Sequence, residues 1–73
     1  MNDPYERLAN AIVLKAVKDY RHAQKRLKKH PENEDALYTK LEVERFFRSD
    51  WYTLLTTVDP ETLITKLNKE VIE

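Results

Sequence analysis

RFFRSDWYTLLTTVDPETL, residues 45–63, sets four aromatic side chains, Phe46, Phe47, Trp51 and Tyr52, within seven positions. On one unbroken helix, at 100° per residue, these four together with Leu54 and Leu55 spread over about 240°, wider than a face that packs on a single neighbour. Either the axis turns inside the stretch or one aromatic, such as Phe46, stays exposed. Ser49 followed by Asp50 reads as a new helix cap, which places the turn there. The two aromatic clusters then face different neighbours, and a following helix gains a surface to cover. On this reading the aromatics are mostly core, with Tyr52 keeping its hydroxyl in water.

Working outward, "DPET" at 59–62 is a stronger start signal, with aspartate to cap and proline at the first helical position. A short helix near 50–57 and another over 60–71, carrying Leu63, Ile64, Leu67 and Val71, follow from it. Upstream, "HPENEDA" makes a polar connection in which Asn33 caps a helix running to about Arg48, with Glu34 and Asp35 in its first turn. Its expected inner face is Ala36, Leu37, Leu41, Val43 and Phe47, and Glu44 with Arg48 forms an exposed pair four residues apart. The first helix opens at "DPYE": Asp3 caps, Pro4 leads, and Glu6 reaches back to the cap. From there Tyr5, Leu8, Ala9, Ile12, Val13, Ala16, Val17, Tyr20, Ala23 and Leu27 recur at three- and four-residue steps until "KKHP". A helix over 4–29 is about 39 Å long.

These elements predict an all-α fold, one domain over residues 1–73. It is a small helical bundle with a long N-terminal helix antiparallel to a broken second helix, closed by a C-terminal helix. The expected core is Ile12, Ala16, Tyr20, Leu41, Phe47, Trp51, Leu54, Leu55, Leu63 and Leu67. Composition agrees, because the chain has no glycine, 36% charged residues and three prolines, all near helix starts. Lack of glycine also excludes glycine-rich phosphate loops and dinucleotide fingerprints, whose backbones must approach a phosphate closely.

No cysteine is present, so burial or oligomerisation must stabilise a chain of 73 residues. With no disulfide framework, no apolar leader and no span of the roughly 20 apolar residues a membrane crossing needs, the expectation is a cytoplasmic protein with no membrane partner.

The residues carry little chemistry. His22 and His30 lie among lysines and arginines that oppose a cation, Asp19 with His22 is a surface pair, and Ser49, the single serine, reads as a cap. The expectation is therefore no catalytic residue, no metal site and no cofactor. Charge is uneven despite a net of zero: residues 1–30 hold eight Lys/Arg against three Asp/Glu, and residues 31–73 hold five against ten. Arg7, Lys18, Arg21, Lys25, Lys28 and Lys29 fall on one stripe of the first helix, a candidate face for nucleic acid or another polyanion. The acidic C-terminal third would repel a phosphate backbone. Leu14 lies opposite the apolar face, and with Ala11 and Phe46 it forms the candidate protein interface, for a second copy or another protein.

Two blocks carry a family likeness, "LANAIVLKAVKDYRHAQKRLKKHPEN" and "ERFFRSDWYTLLTTVDPETLITKL". Through the run Val17–Arg21 and the block Phe46–Trp51 the chain resembles a group of small uncharacterised proteins of phages and integrated mobile elements of Gram-positive bacteria, from which Pro60 departs where glycine is expected. The resemblance implies a small accessory protein acting on a host or phage macromolecule, and brings no activity, cofactor or site residue. Taken together, the expectation is a non-catalytic protein that acts by protein–protein interaction and associates with itself, with polyanion binding as the alternative.

Overall fold

A computed structural model of the chain describes the backbone of residues 4–72 and the side chains of residues 7–70. It is all-α: α1 (Pro4–Lys29), α2 (Glu34–Phe47), α3 (Asp50–Leu55) and α4 (Pro60–Ile72), with no strand among the described residues. The expected roles of Asp3, Tyr5, Glu6 and Val71 lie outside the described side chains.

Local chemistry sets the helix ends. Asn33 Oδ1 accepts the Ala36 amide at 3.0 Å to open α2. Ser49 Oγ joins two helices, donating to the Phe46 carbonyl at 2.6 Å and accepting the Tyr52 amide at 3.3 Å. The axis therefore turns where the cap was read. Asp59 opens α4, its carboxylate accepting both the amide and the hydroxyl of Thr62 at 2.9 Å.

α1 and α2 run antiparallel, Ala23 lying near Ala36 beside the connection and Ile12 near Phe46 at the far end. α4 is tied to both by two-pronged ion pairs. Near its start Glu61 receives Arg48 at 2.7 and 3.1 Å, and near its end Glu70 receives Arg21 at 2.9 Å twice. Between these ties Ile64 and Leu67 cover a core of Val17, Tyr20, Phe47 and Tyr52. The aromatics pack mainly on one another. Phe47 lies 6.0 Å from Tyr20 and 5.6 Å from Tyr52 between ring centroids, and Phe46 meets Tyr52 edge-on at 6.0 Å.

Several expected core positions lie elsewhere. Leu41 is 49% exposed, Trp51 55% and Leu54 78%, while Leu37 is also exposed. The buried line of α2 is Ala36, Val43 and Phe47, at steps of seven and four. It places Leu37 and Leu41 more than a quarter-turn away. In α3 the turn at Ser49 points Tyr52 inward. Trp51 is rotated 100° from it, and Leu54 lies on the far side. Tyr52 is consequently fully buried, hydroxyl included, contrary to the expectation of a solvated one. Glu44 also departs from the reading of an exposed pair. It keeps Arg48 at 3.7 Å, but its side chain is only 15% exposed.

Candidate interaction surface

Inside the bundle, one polar cluster links three helices. Tyr20 donates its hydroxyl to Glu44 Oε2 at 2.5 Å, with Asn68 Oδ1 at 3.2 Å, and Gln24 Nε2 donates to the same Asn68 oxygen at 2.6 Å. The Lys40 ammonium lies 6.0 Å from the centroid of the Tyr20 ring, over its face. Burial first, and then the hydrogen bond to Glu44, raise the Tyr20 pKa well above the ordinary phenol value. The phenol is held neutral and the cluster positions helices. Sequence reasoning missed Gln24, Glu44 and Asn68. The one available signal was Gln24, a polar residue one turn beyond Tyr20 on the apolar side of α1.

On the outside of α1, all six residues of the basic stripe are exposed. Arg21, however, is engaged by Glu70, and the bond raises its pKa while lowering that of Glu70. Arg7, Lys18, Lys25 and Lys29 make no ion pair among the described residues. Leu14 stands in the same stripe, 61% exposed, and Ala11 is exposed beside it. Phe46 does not join them. It is half-buried against Phe47 and Tyr52, on the opposite flank of the α1–α2 pair. Among the described residues no cluster of His, Cys, Asp and Glu could hold a metal ion, and no helix is long and apolar enough to cross a membrane.

Apolar surface is more extensive than the sequence suggested. Leu37, Tyr38 and Leu41 face outward on α2, Trp51 and Leu54 share one side of α3, and Leu8 is exposed near the start of α1. The long α1, at 26 residues, is about 39 Å from end to end and sets the elongation of the bundle.

No protein-family model, no curated protein and no solved structure matches the chain.

Proposed function

We propose that this chain is a non-catalytic interaction protein that associates with itself, working in the cytoplasm as an accessory protein of a phage or integrated mobile element. The observation that carries the reading is the outward-facing apolar surface on α1, α2 and α3. Much of the outward apolar area lies in side chains that core packing leaves unused, such as Leu37, Leu41, Trp51 and Leu54. A chain this small gains stability by burying that area against another chain. The phage setting rests on the resemblance carried by Val17–Arg21 and Phe46–Trp51, and a host or phage protein is the partner class it adds.

A second reading is favoured by one observation, the row of exposed cations at Arg7, Lys18, Lys25 and Lys29, which offers a polyanion several phosphate contacts. Arg21 contributes less to it, being held by Glu70. Light-scattering mass after size exclusion, at low and high salt with absorbance followed at 260 and 280 nm, separates the two. Self-association gives a multiple of 8.7 kDa that salt leaves unchanged. A monomer that sheds 260 nm-absorbing material as salt rises supports the basic face instead and overturns the first reading.

A further inference from the structure

Outside the core, α1 and α3 each carry an exposed leucine with a charged residue one turn away, and the two charges have opposite sign. On α3, Asp50 and Leu54 each lie two residues from the buried Tyr52, which at 100° per residue turns both away from the core. Trp51, also exposed, is 60° round the helix from Leu54. Residues 50–59 include two aspartates and no lysine or arginine. On α1, Lys18 follows Leu14 by four residues within the basic stripe, and both are exposed. Neither Asp50 nor Lys18 makes an ion pair among the described residues.

We propose that α3 of one copy packs antiparallel on the outer face of α1 of a second copy, Leu54 against Leu14 and Asp50 against Lys18; the inference rests on the self-association reading and names its surfaces. Register supports the pairing. The charge lies four residues after the leucine on α1 and four before it on α3, about 6 Å along either axis. Helices running in opposite directions therefore bring both pairs together at once, whereas a parallel approach that joins the leucines separates the charges. Trp51 adds a large apolar side chain to the contact. Both charges are free to take an outside partner, unlike those beside Ile12 and Phe46, where Lys15 bonds Asp19 and Arg45 bonds Glu42. A second copy supplies both halves, because residues 1–30 hold eight Lys/Arg against three Asp/Glu and residues 31–73 hold five against ten. The contact closes a dimer when it is made twice, each copy giving α3 to the other's α1. Its apolar centre carries the affinity and its ion pair fixes the register, so salt leaves the mass unchanged.

Light scattering over a concentration series, with helicity checked by circular dichroism, tests the contact on wild type and four variants. All four substituted positions are exposed, so each variant keeps the bundle. Lys18→Glu and Asp50→Lys are each expected to weaken association about tenfold or more, since like charges then meet. An equimolar mixture of the two should return to within about threefold of wild type, because the reversed charges face each other and Asp50 of one copy still faces Lys18 of the other. Leu54→Glu is expected to weaken association about thirtyfold or more, and Leu41→Glu, on α2, to leave it within about threefold. A mixture as weak as its components, an association that survives Leu54→Glu, or a loss confined to Leu41→Glu overturns the α1–α3 contact while the self-association reading stands. A monomeric wild type at every concentration overturns both.

Discussion

Tyr20 and Tyr52 are both fully buried, yet of the two hydroxyls only that of Tyr20 has a hydrogen-bond partner among the described residues. Tyr20 donates a hydrogen bond to a carboxylate that is itself largely withdrawn from water, so deleting the hydroxyl leaves Glu44 without its closest donor. Tyr20→Phe is expected to cost about 1–3 kcal/mol, the penalty for a shielded charged group losing a hydrogen bond. Tyr52 has the opposite balance. Its oxygen is buried with no hydrogen-bond partner among the described residues, so Tyr52→Phe keeps the ring contacts with Phe46 and Phe47 and removes a desolvated dipole. That substitution is expected to be neutral or to stabilise by up to about 1 kcal/mol. Urea midpoints of the two variants, measured side by side, check the contrast, and equal losses would mean that the Tyr52 hydroxyl is bonded in solution.

Between α2 and α3 a single oxygen does two tasks, Ser49 Oγ closing one helix at the Phe46 carbonyl and opening the next at the Tyr52 amide. Ser49→Ala is expected to cost about 1–2 kcal/mol, the upper part of the range for a lost N-cap, and more than Asn33→Ala, whose oxygen serves only α2. Denaturant titration of the pair ranks them, and a smaller loss at Ser49 contradicts the double role. Helix ends were legible in the sequence because caps are local: Asn33, Ser49 and Asp59 each act within three residues. Helix faces were not, since the direction of the axis after Arg48 decides which of Trp51 and Tyr52 points inward. Leu41 and Glu44 show the same limit, an apolar residue left outside and a carboxylate taken in, because Tyr20, 24 residues from Glu44, decides which flank of α2 is covered. The basic stripe needed only the phase of α1 and was legible. The capture of Arg21 by Glu70, 49 residues away, was not. Nor was the juxtaposition of Ile12 and Phe46, which come from different helices and read singly as core and interface.

Across the whole molecule, ionisable groups hold the bundle in two distinct ways, and pH separates them. Arg48 and Arg21 hold the Glu61 and Glu70 carboxyls below their ordinary 4.5, and the Thr62 bonds hold Asp59 below its ordinary 3.8. Their stabilisation is therefore complete above those ordinary values and is lost as pH falls through the lowered ones. Burial raises Tyr20 and Tyr52 above the ordinary 10.0, the charge of Asp59 adding to the shift at Tyr52. A raised phenol stabilises fully below that value and loses its contribution as pH climbs toward the folded pKa, since the unfolded chain releases the proton first. Thermal midpoints are thus expected to be level from about pH 5 to about pH 9 and to fall on both sides. The Glu61 and Glu70 part of the acid limb comes from exposed pairs that salt screens, so at about 1 M salt the limb should become shallower, the Asp59 part held by Thr62 remaining. The alkaline limb comes from shielded phenols and should keep its slope. Melts followed by circular dichroism across this range, at two salt concentrations, resolve the limbs. Tyr20→Phe should remove much of the alkaline slope and leave the acid limb in place, whereas an alkaline limb that persists unchanged in this variant would assign the loss to Tyr52.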